Sequence, residues 1–208
     1  MGGPPEGTNA SGIVLAGGRS HRLGRDKALE TIGGQPLVRR VIDRISQATD
    51  DVAVVVAEMA QARALPLENR HRVVVDLYPG AGPLGGIFSG LSAADHHWAV
   101  AVACDMPFLN LALVRRMLAL REGADAVVPM LRGYPEPTHA VYSKACLPFM
   151  EEVLSAGDRK IILFYDKVKV VYLPEEEIAA LDPDFLSFFN VNTAEDLEKA
   201  LTLAAQGR

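Results

Sequence analysis

Residues 12–27 read GIVLAGGRSHRLGRDK, an apolar run that breaks on paired glycines and passes into a basic loop. Residues 12–16 have the continuously apolar character of a strand buried on both faces. Gly17 and Gly18 lack Cβ atoms, so the backbone there can approach a ligand closely and turn its N–H groups toward an anion. Arg19, Arg22, Arg25 and Lys27 follow at once. Arg22 would neutralise phosphate oxygens with a fork of donors and Lys27 with a point charge. The spacing matches neither the P-loop nor G-x-G-x-x-G. Two readings stand at this point: a phosphate-binding loop, or a solvated basic turn.

Working outward, short β-branched runs alternate with segments of helical period. Strands are expected at residues 52–57, 72–75, 98–103, 126–128, 138–142 and 168–173, with a short one at 188–191. The runs 52–57 and 72–75 are nearly all apolar, so both are expected to be buried on both faces. Helices are expected at 36–48, 84–94, 111–120, 144–155 and 193–204, the first from Leu37, Val38, Val41, Ile42 and Ile45 at helical spacing. This alternation predicts a three-layer α/β sandwich with a mostly parallel central sheet. Ligands in such sheets sit beyond the carboxyl ends of the strands, where the strand order reverses. Motifs that bind should therefore fall just after strands.

The composition sets the outer bounds. Of 208 residues, 49% are hydrophobic and 23% charged, the balance of a globular chain. Residues 1–10 are expected to form a disordered leader and 11–208 a single domain. A net charge of −5 argues against general nucleic-acid binding, though a local cationic cluster fits within it. No stretch approaches the ~20 apolar residues of a membrane span, and the leader lacks the pattern of a signal peptide. A cytoplasmic protein is expected, with Cys104 and Cys146 as unpaired thiols. Asp105 leaves the strand at 98–103 braced by Pro107. It reads either as the N-cap of the next helix or as a carboxylate for a hard cation. Thr193 with Asp196 reads as a helix-opening cap.

Leu15, Ala16, Gly17, Gly18, Ser20, Arg22, Leu23, Gly24 and Lys27 fill the positions of the nucleotidyltransferase signature L-A-[AG]-G-x-[GST]-x-R-[ML]-G-x-x-K. The chain resembles that superfamily, with its Rossmann-like nucleotide-diphospho-sugar transferase fold. Gly17 at the third position resembles the molybdenum cofactor guanylyltransferase branch, where cytidylyltransferases more often have Ala. Three further stations match in order: Asp76 with Gly82, Pro83 and Leu84; Asp105 in a [CG]-D-x-P segment; and residues 189–197 in a closing F-x-N-[VIF]-N-T segment. Tyr134 to Tyr142 and Gly157 to Ile161 resemble the family's acceptor-side stretches. One departure is Ala57 followed by Glu58, where the family often has a nucleoside-contacting Asn.

The resemblance implies transfer of GMP from GTP to molybdopterin, or its molybdenum-loaded form, with Mg²⁺ on Asp105. Arg22, Lys27 and Asp105 are then the catalytic residues. Nucleotide binding falls to Leu15, Ala16, Gly17, Gly18, Lys27, Asp76, Gly82, Pro83, Leu84 and Asp105. Arg159, Lys160, Asn190 and Asn192 fall on the acceptor side. His139 reads as a packed histidine. The alternatives are a relative using CTP or a sugar phosphate, and a non-catalytic module that binds nucleotide or delivers cofactor. Cofactor-biosynthesis proteins or molybdoenzymes are the partners implied.

Overall fold

Short apolar runs become strands and the longer amphipathic segments wrap them. The computed structural model describes residues 8–17, 27–68 and 71–207. The strands are β1 (Ala10–Leu15), β2 (Thr31–Ile32), β3 (Gln35–Pro36), β4 (Asp51–Val56), β5 (Arg72–Val75), β6 (Trp98–Ala103), β7 (Ala126–Leu131), β8 (Tyr134–Pro135), β9 (His139–Ser143) and β10 (Val170–Leu173). The helices are α1 (Leu37–Ile45), α2 (Met59–Ala64), α3 (Pro83–Ala93), α4 (Leu111–Ala119), α5 (Leu147–Ser155), α6 (Glu175–Leu181) and α7 (Ala194–Ala205).

The main sheet runs β10-β7-β9-β6-β1-β4-β5, with β8 paired to β7 beside that path. β1 pairs in parallel with β4 and β6, β4 with β5, and β7 with β10; β9 is antiparallel to both β6 and β7. The mostly parallel α/β sheet is therefore as expected. Alternation along the strands divides the core. Val14, Val54, Val100 and Val102 face α1 and α4, while Ile13, Val55, Ala99 and Ala101 face α3 and α5. This gives three layers, with period-2 strands feeding two helical faces.

α3 lies unusually close to the sheet because its inner face carries glycine. A Cβ on Gly90 would stand 2.5 Å from Ile13 Cγ2, and one on Gly86 would stand 3.0 Å from Leu15 Cδ2. A third, smaller cluster joins α7 to the β2–β3 hairpin through Ile32, Leu37, Val191 and Ala200.

Several boundaries differ from expectation. The run at 72–75 is a strand but is not buried on both faces, because β5 lies at the sheet's edge and Val75 is 37% exposed. Residues 188–191 do not form a strand. Leu186–Phe188 is a 3-10 turn entered from Phe185 at φ 52°, and the chain then runs extended into the cap of α7. Its apolar residues serve two different clusters, Phe188 one and Val191 another, so no strand period develops. The segment 144–155 divides into a 3-10 turn at Lys144–Cys146 and α5. α2, α6 and the 3-10 helix Ile161–Lys167 had no counterpart in the sequence reading. Both cysteines are buried and outside any disulfide. No helix among the described residues is long and apolar enough to cross a membrane.

Candidate functional site

From β1 the chain builds outward through β4 to β5, then returns to place β6 on the other side of β1. The connections leaving the carboxyl ends of β1 and β6 therefore diverge at the point where strand order reverses, the place where ligands sit in such sheets. Backbone bonds hold the strand ends there: the Ala16 amide donates to Val55 O (2.8 Å) and the Cys104 amide to Leu15 O (3.1 Å). Gln61 closes the corner, donating from Nε2 to Ala16 O (2.7 Å) and accepting the Ala57 amide on Oε1 (3.1 Å). A Cβ on Gly17 would come within 3.1 Å of the Ala57 nitrogen, so the glycine lets the turn lie against the end of β4. Gly18 and Arg22 lie outside the described residues.

At this place three side chains from distant parts of the sequence meet. Lys27 Nζ donates to Asp105 Oδ2 at 2.9 Å and to Asn192 Oδ1 at 2.8 Å. The Lys27 and Asp105 side chains are only 20% and 15% exposed. Asn192 is fixed by the cap of α7, where Asp196 Oδ2 accepts the amides of Asn192 (3.1 Å) and Thr193 (2.9 Å). The return bond from the Asp196 amide to Thr193 Oγ1 (3.1 Å) completes a capping box. The Val191 amide donates to Asp105 O at 2.9 Å, tying the closing segment to the end of β6.

Asp105 is not a helix cap. That position belongs to Asn110, whose Oδ1 accepts the amides of Ala112 (2.9 Å) and Leu113 (3.3 Å). Asp105 Oδ1 is instead buried, with no hydrogen-bond partner among the described residues. An oxygen-only pair of Asp105 and Asn192 fits a hard divalent cation that takes its remaining ligands from phosphate and water. No group of three or more His, Cys, Asp or Glu that could hold a metal occurs among the described residues. Substrate oxygens would have to complete the shell.

The turn that follows Asp105 is braced from α1. Arg40 Nε donates to Pro107 O (3.0 Å) and Arg44 Nε to Leu109 O (2.9 Å), and the Arg40 guanidinium lies 5.3 Å from the Phe108 ring centre. A cavity of about 480 Å³ bordered by Arg40, Arg44, Pro107 and Phe108 contains none of the sequence-predicted site residues. Gln61, Arg40 and Arg44 were not singled out from sequence. Their work is done on backbone carbonyls, and no local motif announces such bonds.

Asp76 leaves β5 at the same edge of the sheet. Its Oδ1 accepts the Tyr78 amide (3.0 Å) and the Ser89 hydroxyl (3.0 Å), which shapes the turn into α3. Ser89 Oγ in turn accepts the Leu77 amide at 2.9 Å. Gly82, at φ 69°, and Pro83 open α3 without a side-chain cap, while Leu84 anchors the first turn in the core.

In the stretch expected to meet the acceptor, Gly157 at φ 81° follows the end of α5, and exposed Arg159 and Lys160 come next. Arg159 borders a cleft of about 320 Å³ with Tyr78, Pro79, Gly80 and Ala81. Neither Arg159, Lys160 nor Asp76 joins the Lys27–Asp105–Asn192 contact. Asn190 bonds locally, from Nδ2 to Phe188 O at 3.1 Å. His139 is fully buried with its ring 5.0 Å from that of Phe188, and burial pushes its pKa down to about 4. Burial also raises the Glu136 carboxyl above its ordinary range.

Comparison with known proteins gives the same assignment. The family described as "MobA-like NTP transferase domain" matches residues 12–168. A probable molybdenum cofactor guanylyltransferase of Pelotomaculum thermopropionicum is 41% identical over 96% of this chain and 95% of its own. The molybdenum cofactor guanylyltransferase of Desulfosudis oleivorans is 37% identical, over 95% of this chain and 97% of its own. Among solved structures, molybdopterin-guanine dinucleotide biosynthesis protein A from Archaeoglobus fulgidus superposes with a TM-score of 0.82 at 29% identity, covering 94% of this chain and 99% of its own. The chain belongs to the MobA-like NTP transferases and, among them, to the molybdenum cofactor guanylyltransferase family of nucleotidyltransferases.

Proposed function

We propose that the protein transfers GMP from GTP to molybdopterin, or to its molybdenum-loaded form, and releases pyrophosphate. The observation that carries this reading is the convergence of Lys27, Asp105 and Asn192 at the strand-order switch, with one Asp105 oxygen buried and unpartnered among the described residues. The names carried by its relatives supply the acceptor and the base.

The chemistry needs no strong general base. A phosphate oxygen of the acceptor, already ionised, attacks the α-phosphorus of GTP as the bond to pyrophosphate breaks on the opposite side. The enzyme's part is alignment and charge neutralisation. In this reading the backbone at Leu15, Ala16 and Gly17 lines the nucleotide, and Lys27 meets the β- and γ-phosphates. Asp76 and the Gly82–Pro83–Leu84 turn flank the base. Arg159 and Lys160 meet the acceptor's phosphate, with Asn190 and Asn192 beside it. Mg²⁺ is the cation proposed for Asp105; when bound it would neutralise charge on the reacting phosphate oxygens.

The test is pyrophosphate release by the purified protein with Mg²⁺, molybdopterin and each of GTP, CTP and ATP, beside Asp105→Ala. Release with GTP alone, lost in the variant, supports the proposal. Preference for CTP refutes the base assignment, and no release with any nucleotide refutes catalysis on this acceptor.

A further inference from the structure

We infer that Lys27 is a placeholder for the cation, holding the metal position shut until a nucleoside triphosphate draws it away. This rests on the reading of Asp105 as the metal ligand. The two oxygens best placed to receive a hard cation, Asp105 Oδ2 and Asn192 Oδ1, are both engaged by the one Lys27 ammonium, at 2.9 and 2.8 Å. An ammonium and a divalent ion sharing these oxygens would stand within a few ångström of each other. Their repulsion is twice that of a unit pair at the same separation. A free ion therefore enters only if Lys27 leaves.

Lys27 has somewhere to go once a triphosphate arrives. Its flexible stem carries a head that is partly exposed, and phosphate oxygens offer it a new anionic partner. Its departure frees Asp105 Oδ2 and Asn192 Oδ1 together. Asp105 Oδ1, buried and without a partner among the described residues, is a further oxygen for the ion. Metal and nucleotide thus enter as one complex, and metal alone binds poorly. The same residue serves the empty site as a plug and the filled site as a phosphate clamp.

The experiment is Mn²⁺ binding to the full chain without nucleotide, read from the paramagnetic resonance signal of the free ion. The proteins are the parent, Lys27→Met, Lys27→Gln and the double variant Lys27→Met/Asp105→Asn, each checked for folding by circular dichroism. Removing the ammonium is expected to tighten Mn²⁺ binding by about tenfold or more, with Lys27→Gln in between. The double variant is expected to lose that gain. Binding by Lys27→Met and Lys27→Gln no tighter than the parent's overturns the proposal. Should Lys27→Met misfold, the Gln variant alone decides.

A parallel titration with GTP present separates the two possible failures. Mn²⁺–GTP uptake that depends on Asp105, with no gain from Lys27→Met in the absence of nucleotide, refutes the plug and leaves the metal reading intact. A gain in Lys27→Met that survives Asp105→Asn puts the ion elsewhere and refutes both.

Discussion

Gly90→Ala should destabilise the protein, although alanine is the better helix former. Gly90 sits within α3, where a Cβ would fall 2.5 Å from Ile13 Cγ2, 3.0 Å from Val55 Cγ2 and 3.2 Å from Ile13 Cγ1. Carbon atoms in contact prefer separations of about 3.5–4.0 Å, so the added methyl intrudes by roughly 1 Å on its nearest neighbour. Ile13 is fully buried in β1, which is hydrogen-bonded on both sides to β4 and β6. It cannot retreat, so α3 must lift.

Overpacking of this kind costs about 1–3 kcal/mol, and the helix-propensity gain of Ala over Gly returns about 1 kcal/mol. With a separation of 2.5 Å from a side chain that cannot retreat, the upper half of the overpacking range (about 2–3 kcal/mol) applies, so the net loss is about 1–2 kcal/mol, or a fall in Tm of roughly 2–8 °C for a domain of this size. Gly86→Ala is the companion measurement. Its nearest neighbour is Leu15 Cδ2 at 3.0 Å, the end of a flexible side chain that can turn aside. Propensity should win there, leaving stability unchanged or slightly raised. Urea unfolding followed by circular dichroism, with m-values compared, reads both. A Gly90→Ala protein as stable as the parent, or a Gly86→Ala protein more damaged than Gly90→Ala, would refute the packing argument.

Asp182→Ala should cost about 1–3 kcal/mol in urea unfolding, because it strands one buried and one partly buried amide donor. Those are the amides of Leu186 and Ser187, which the Asp182 carboxylate accepts at 3.2 and 2.8 Å. His139 should make the protein acid-sensitive: its folded pKa of about 4 lies below the ordinary 6.5, so the unfolded chain binds the extra proton. Its neutral burial contributes fully above pH 6.5, and up to about 3 kcal/mol of stability is lost as pH falls toward 4. His139→Leu should lack that component, and unfolding midpoints that drop equally with acid in both proteins would exclude it. Gly17→Ala should raise KM for GTP several-fold in steady-state kinetics while changing Tm little. The new methyl presses on the Ala57 nitrogen at 3.1 Å and tilts the turn rather than the core. An unchanged KM would mean that the turn absorbs the methyl without displacing its N–H groups.

The architecture was legible wherever one segment's pattern settled its own fate. The apolar runs of β1, β4 and β6 and the heptad-like spacing of α1 needed no partner to be recognised. The edge position of β5 was not legible, because RVVV reads the same whether one neighbour or two flank it. The turn at Leu186–Phe188 failed for a related reason: its apolar residues pack into separate clusters, and periodicity assumes a common face. For the site, Asp105 and Lys27 could be named from strand ends and from resemblance. Their direct contact could not, since the bonds among Lys27, Asp105 and Asn192 span 78 and 165 positions. Gln61 and Ser89 escaped notice because each acts on backbone or on a carboxylate already placed, without a spacing of its own.

The cap of α7 has a consequence for how the protein comes into being. Asp196 holds the backbone of Asn192, and the Val191 amide holds the carbonyl of Asp105. A ribosome has therefore delivered the glycine-rich turn, every strand of the sheet and Asp105 before the segment that ties Asp105 to Asn192. Until residues 191–196 emerge and wind into the last helix, Lys27 lacks its amide anchor and the nascent chain is a scaffold without a finished centre. A chain stopped short of α7 would therefore keep its strands but leave Lys27 without the Asn192 oxygen and the Asp105 carbonyl without the Val191 amide.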